Sequence, residues 1–149
     1  DASAAEREIL GAVTYQTNEA YLHRDAAVMP TRKRCWASWV YHADNSGNEP
    51  AISVTYWMNL LQGIDHAKPL FVTLNPPTPI APELVFDRHT FTHPVFTRES
   101  IAAQTRLSEI QGQNNSWFAG AYTRYGFHED GLLSAVNVAT SMGEVIPWQ

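Results

Sequence analysis

The sequence has little of what marks several classes of protein. A single cysteine, Cys35, in 149 residues excludes an internal disulfide framework and a zinc site built from cysteines alone. The sequence contains no continuous apolar run of the ~18 residues that a transmembrane helix needs, so none is predicted. Charged residues make up 17% of the chain and the formal net charge is −5. This balance argues against a general nucleic-acid binder, which needs a basic surface.

Glycine spacing excludes one more kind of site. The eight glycines stand at positions 11, 47, 63, 112, 120, 126, 131 and 143, and no two of them are two positions apart. The Gly-x-Gly-x-x-Gly fingerprint, which holds the pyrophosphate of a dinucleotide cofactor, is therefore absent from this sequence.

The residues that are present indicate a globular protein. Hydrophobic residues make up 44% of the chain, more than disordered segments contain. The length fits one domain, or two small ones, and allows roughly 68–70% of the unfolded surface to be buried. With no signal-peptide pattern in the sequence, we expect a cytoplasmic protein.

Period-two patterns and aromatic enrichment predict about five strands in the first two thirds of the chain. They cover Val13 to Leu22, residues 34–43, Ala51 to Asn59, Leu70 to Leu74 and Val85 to Phe91. Turn residues at 42–50 predict a hairpin. In the third strand, alternation places Ile52, Val54, Tyr56 and Met58 on one buried face.

Helices are expected near both ends. Residues 2–10 have Ser3 as N-cap and Gly11 as stop; residues 98–111 follow Thr97; a last helix runs from about Gly131 to Met142. The predicted fold class is therefore α+β, with a mixed or antiparallel sheet of about five strands. We divide the single domain or fragment, 1–149, into a sheet-containing part, 1–96, and a C-terminal part, 97–149.

One local pattern suggests a binding site. The apolar run Trp117 to Ala121 predicts a short buried strand, and its Gly120 would let another molecule approach the backbone. A loop leads to His128-Glu129-Asp130-Gly131, which opens the last helix. The N–H groups at a helix start suit an anion or a carbonyl oxygen. The same residues also fit an ordinary strand–helix connection with Asp130 as cap.

Residues 117–121 and 126–135 resemble the C-terminal FAD-binding segment of flavin-containing amine oxidase-like proteins. Further segments resemble a bacterial branch of that family labelled predicted NAD/FAD-binding oxidoreductases. They are Ala5 to Gly11, Trp36 to Trp39, Val54 to Ile64 and Pro69 to Pro76. The resemblance covers essentially the whole chain.

The resemblance implies the C-terminal portion of an FAD-dependent oxidoreductase: most of a substrate-domain sheet plus the final strand–loop–helix that contacts FAD. The family's N-terminal dinucleotide-binding half is missing, so the chain alone would be inactive and would bind FAD weakly or not at all. The implied flavin contacts are made by the backbone at Gly120, Glu129, Asp130, Gly131 and Leu132. The catalytic residues stay unassigned, and the substrate would be a small molecule, an amine or lipid-like.

Two other classes of function stay open. One is a standalone β-rich module that binds a small ligand or a partner protein, and a chain lacking its other half would also favour self-association. The other is a metal-assisted hydrolase, in which His89 and His93 with His66 or His128 would ligate zinc. Two histidines at this spacing are weak evidence, so we assign no metal site.

Several further residues have a structural interpretation. Cys35 fits a small buried strand residue better than a reactive thiol. The basic run Arg32 to Arg34 fits a solvated turn. The aromatic residues Trp36, Trp39, Tyr41, Tyr56 and Trp57 fit a core, and in the family context one or two of them would face the substrate.

Overall fold

The computed structural model describes residues 1–44 and 51–148. Within these ranges the fold is α+β, as predicted, with five strands and four α-helices. The chain forms two compact units: Asp1–Gln16 with His93–Gln149, and Thr17–Thr92. Residues 1–16, which the sequence-based division placed with the sheet, thus belong to the same unit as the C-terminal segment.

The strands form one sheet in the order β2-β3-β4-β1-β5. Their bounds are β1 Tyr15–His23, β2 Trp39–Asp44, β3 Ala51–Trp57, β4 Phe71–Leu74 and β5 Val85–Pro94. The β2/β3, β3/β4 and β4/β1 pairs are antiparallel. The expected sheet of about five strands is confirmed, while the hairpin turn predicted at 42–50 falls mainly on residues 45–50, outside the described residues.

The prediction for the buried face of β3 was wrong. Ser53 and Thr55 are buried, whereas Ile52 is 59% exposed and Met58 begins the helix α2 (Met58–Gln62). The interior accepts these hydroxyls because each has a partner. Ser53 Oγ donates to the Leu74 carbonyl at 3.0 Å, and Thr55 Oγ1 lies 2.9 Å from the Thr73 hydroxyl oxygen. A hydrogen-bonded polar group is buried at little cost.

The first unit holds the other helices: α1 Ala4–Gly11, α3 Arg98–Gln104 and α4 His128–Ser141. The start of α1 is a capping box, as the Ser3 hydroxyl accepts the Glu6 N–H and the Glu6 carboxylate accepts the Ser3 N–H. Ile9 of α1 packs in a buried cluster with Ala103 and Ile110.

Helix α3 is shorter than the predicted 98–111. It ends at Gln104, and a short 3₁₀ turn follows at Leu107–Glu109. The Thr105 hydroxyl donates to the Ala102 carbonyl at 2.8 Å, and such local bonds compete with the helical hydrogen-bond ladder.

The segment 117–121 is not the buried strand that the sequence predicted. Trp117 and Phe118 are half-buried in irregular backbone, Ala119 is exposed, and a 3₁₀ turn spans Ala121–Thr123. A strand needs a neighbour to form its ladder. Here the Gln111 side chain satisfies the backbone of Phe118 instead, through its N–H at 2.8 Å and its carbonyl at 2.6 Å.

Among the helices of the described residues, none is both long enough and apolar enough to cross a membrane.

Candidate functional site

The candidate site is the start of helix α4 together with the loop that precedes it, all within the first unit. Ser134, about one turn beyond Asp130 in the helix, links the two parts. The Gly120 N–H donates to Ser134 Oγ at 2.8 Å, and Ser134 Oγ donates to the Gly131 carbonyl at 2.7 Å. Ser134 is buried, so this link fixes the position of Gly120 beside the first turn of the helix.

Gly120 has a backbone conformation that requires glycine. Its φ is 151° and its ψ is 164°, a region that is essentially restricted to glycine. A Cβ built there would lie 2.7 Å from the Tyr122 ring. The local fold therefore explains this glycine without a ligand.

The Asp130 side chain holds the loop before α4 through hydrogen bonds to its backbone. It is buried, and its Oδ2 accepts the N–H groups of Tyr125 at 3.2 Å and Phe127 at 3.1 Å. Its Oδ1 lies 3.7 Å from the Arg124 Nε. A carboxylate in the first turn also offsets the positive end of the helix dipole. The Asp130 side chain is thus a structural cap.

The N–H groups at the helix start divide into two sets. Those of Asp130 and Gly131 donate to the Phe127 carbonyl, at 3.1 and 3.2 Å. Those of His128 and Glu129 have no acceptor among the described residues. Of the positions that the resemblance assigns to flavin, only Glu129 keeps such a donor. The neighbouring His128, which the sequence placed at the helix start but not among the flavin contacts, adds a second.

Gly131 differs from Gly120 because nothing in the described chain requires a glycine there. Its φ is negative, and an added Cβ would lie 3.6 Å from the Ala121 nitrogen, an ordinary contact. A glycine inside a helix costs about 1 kcal/mol relative to alanine. Leu132, the next residue, is 48% exposed. An apolar side chain and an uncovered stretch of backbone therefore lie together at the helix start.

Two glutamines hold the loop before α4, and no local sequence pattern marks either of them. Gln111 binds both backbone groups of Phe118. The Gln104 amide donates to the carbonyls of Tyr122 and Arg124, at 2.9 and 2.6 Å. Because these contacts join residues 7 to 20 positions apart, periodicity could not predict them.

The other predicted candidates do not form a second site of this kind. His89 and His93 lie on the exposed strand β5, and His66 packs edge-on against Trp57 at 4.9 Å. No group of three or more His, Cys, Asp or Glu side chains in the described ranges is arranged to hold a metal ion. Cys35 is exposed rather than buried.

The aromatic residues divide between the core and the surface. Trp36 packs edge-on against Trp57 and Phe71, with ring centroids 5.1 and 5.8 Å apart. Trp39 and Tyr41 are exposed on the strand face that also carries Ile52. They share that face because Tyr41 pairs with Val54 and alternate residues of a strand point the same way.

Comparison of the chain with models of known protein families found no match, and comparison with curated proteins found none either.

Proposed function

We propose that this chain is the C-terminal portion of an FAD-dependent oxidoreductase of the amine oxidase-like family. The resemblance that motivates the proposal covers essentially the whole chain, including the flavin-binding segments at residues 117–121 and 126–135. Bound FAD would accept a hydride from a C–H bond of the substrate. The proposal includes the cytoplasmic location expected from the sequence.

The observation that carries the proposal is the uncovered backbone at the start of α4. Gly131 lowers helix propensity and no contact within the described chain requires it. In the same turn, the N–H groups of His128 and Glu129 have no acceptor among the residues that the structure describes. Donors at the positive end of a helix dipole suit an electron-rich oxygen or nitrogen of a flavin ring.

The residues present fit such a group in a defined way. Glu129 and His128 would donate backbone N–H groups, Gly131 would allow close approach, and Leu132 would cover an apolar part of the ring. Asp130 and Ser134 would act through the loop that they hold. The chain supplies no pyrophosphate-binding glycine loop, so most of the affinity for FAD would come from the N-terminal half.

The exposed face of the sheet supports the substrate class in the same proposal. Trp39, Tyr41 and Ile52 present aromatic and aliphatic surface, the usual lining of a small-molecule cavity. The substrate would be a small amine or lipid-like molecule. The same surface also fits the alternative, a standalone β-rich module that binds a small ligand or a protein.

The test is made on the protein that the complete natural reading frame encodes. Our proposal requires an upstream Gly-x-Gly-x-x-Gly unit and a purified protein that carries flavin absorption. The 149-residue chain alone should bind FAD weakly or not at all, as followed by flavin fluorescence. A reading frame without the glycine unit, or sub-micromolar FAD binding by this chain alone, would overturn the proposal.

A substitution at Gly131 tests whether the start of α4 contacts the flavin. In the complete protein, Gly131→Val should weaken FAD binding by about ten- to hundredfold, the loss of one charge-assisted contact, with little change in melting temperature. Gly11→Val is the matched control, since Gly11 ends α1 with open space around it. Equal FAD affinities in both variants would remove the α4 start from the site.

A further inference from the structure

An open cavity of about 390 Å³ lies in the second unit, and none of its lining residues is assigned to flavin. Its apolar wall is formed by Ile64, Pro69, Leu70 and Phe86, and its polar wall by Arg24 and Lys68. Within the described part of the chain, no carboxylate lines it. The lining residues are thus net positive, although the chain has 15 acidic and 10 basic residues.

The two cations are available to a ligand. The Lys68 ammonium makes no hydrogen bond or ion pair with any described residue. The Arg24 guanidinium makes one long contact, 3.5 Å from Nη2 to the Glu83 carbonyl. The nearby acid on the same loop, Asp65, uses its carboxylate to accept the Ala67 N–H at 2.9 Å.

The loop that carries Lys68 is held in place by one buried amide. Asn59 is fully buried, and its Nδ2 donates to the carbonyls of Asp65 and Lys68 at 2.9 and 2.8 Å. Its Oδ1 accepts the Leu70 N–H at 2.8 Å. Bonds to both ends of the loop fix the backbone of Lys68 and Leu70 before any ligand arrives, which lowers the entropic cost of binding.

The opposite wall is also fixed by backbone. The Arg24 N–H donates to the Leu84 carbonyl at 2.9 Å, and this bond joins the end of β1 to the turn before β5. Phe86, two residues into β5, is 59% exposed and lies on the cavity. The cations and the aromatic wall therefore come from three separated segments brought to one place.

We propose that this cavity binds a small carboxylate with an apolar body, such as a medium-chain fatty acid. The two cations would pair with the carboxylate, and Phe86, Leu70 and Ile64 would cover the chain. Its size falls in the range of small-molecule pockets, about 300–1,000 Å³. An amine would be repelled by both cations, so this cavity does not suit the amine substrates that the proposed oxidoreductase would act on.

The test is titration of the 149-residue chain with decanoate below its micelle concentration, followed by isothermal calorimetry. We expect saturable binding of one decanoate per chain. Lys68→Gln should weaken it about tenfold, the effect of losing one charge-assisted hydrogen bond. Phe86→Ala should also weaken it, because it removes the apolar wall. Both side chains are exposed, so circular dichroism should show both variants folded.

Three comparisons decide the result. Arg34→Gln, an exposed cation outside the cavity, should bind decanoate like the parent chain. Decanol and inorganic phosphate should both bind at least tenfold more weakly than decanoate. Equal binding of decanol would show that the cations play no part, and equal binding of phosphate would show that the apolar wall plays none; either overturns the proposal. The proposal would also be overturned if Arg34→Gln and Lys68→Gln lost the same amount of decanoate affinity. None of these outcomes depends on FAD.

Discussion

The imidazole Nε2 of His23 lies 2.8 Å from the hydroxyl oxygen of Thr73, and both residues are fully buried. Nδ1 of the same ring accepts the Asp25 N–H at 3.1 Å. A neutral imidazole has one donor and one acceptor nitrogen, so Nε2 carries the proton and donates a hydrogen bond to the Thr73 hydroxyl. The Thr73 hydroxyl in turn lies 2.9 Å from that of Thr55. A hydrogen-bonded chain thus crosses three strands in the interior.

This arrangement predicts acid sensitivity. Burial lowers the pKa of His23 from its usual value, and Asp25 offsets the effect only in part. Between the lowered pKa of the folded state and the value of about 6.5 in the unfolded chain, the unfolded chain binds more protons than the folded one. The contribution of His23 to the free energy of unfolding is therefore complete above about pH 6.5, and it is lost as the pH falls through the folded-state pKa. The free energy of unfolding, measured with urea at several pH values between 8 and 5, would show this loss of stability.

The control for this prediction is His42→Gln, because His42 is exposed on β2. Its pH profile should match that of the parent chain, while His23→Gln should flatten the profile. The ring proton shifts of His23 in NMR give an independent midpoint, and a midpoint at or above 6.5 contradicts the prediction.

Removing the two threonine hydroxyls should have unequal effects. Thr73→Val leaves the His23 Nε2–H without an acceptor in the interior, which costs about 1–3 kcal/mol of unfolding free energy. Thr55→Val leaves His23 paired with Thr73, so its cost should be smaller. Urea unfolding of both variants at pH 8 measures the difference. Equal losses would mean that the order of the hydrogen-bonded chain is wrong.

The two glycines of the candidate site should respond in opposite directions. Gly131→Ala should stabilise this chain by about 0.5–1 kcal/mol, because the added Cβ meets only ordinary contacts and alanine favours helix. Gly120→Ala should destabilise it by about 1–3 kcal/mol, because the backbone there excludes other residues. Thermal unfolding of the two variants measures both effects. A loss of stability in Gly131→Ala would show that the fold itself needs this glycine.

The glutamine contact with Phe118 should be visible in hydrogen exchange. Gln111→Ala removes the acceptor of the Phe118 N–H, so that amide should exchange about fivefold faster, in line with a local bond of about 1 kcal/mol. Gln113→Ala is the matched control, since the Gln113 side chain is exposed. Unchanged protection of the Phe118 amide in Gln111→Ala would show that Gln111 does not hold the backbone of Phe118.

Sequence patterns predicted the strands better than their faces. In β3 the apolar residues Ile52, Val54 and Tyr56 alternate as a core face would, yet Thr55 points inward. Its partner, Thr73, lies 18 residues away on β4, and only the register of the sheet brings the two hydroxyls together. A local pattern cannot show that a polar residue will find a partner.

At the candidate site, too, local sequence patterns predicted only part of the structure. The helix start and its glycines were visible as short motifs, and the predicted cap Ser3 of α1 is confirmed. The strand at 117–121 was wrong because an apolar run carries no information on whether a neighbouring strand exists. Gln111, which holds Phe118, and Gln104, which holds Tyr122 and Arg124, resemble ordinary surface residues in the sequence.

The division of the first unit has a consequence for synthesis on the ribosome. Ile9 of α1 packs with Ala103 and Ile110, yet all of residues 17–92 are translated between them. At about 5–20 residues per second, the apolar face of α1 emerges roughly 5–20 s before its partners. During that interval the nascent chain exposes this face, and a chaperone that recognises short apolar helices would meet it before α3 does.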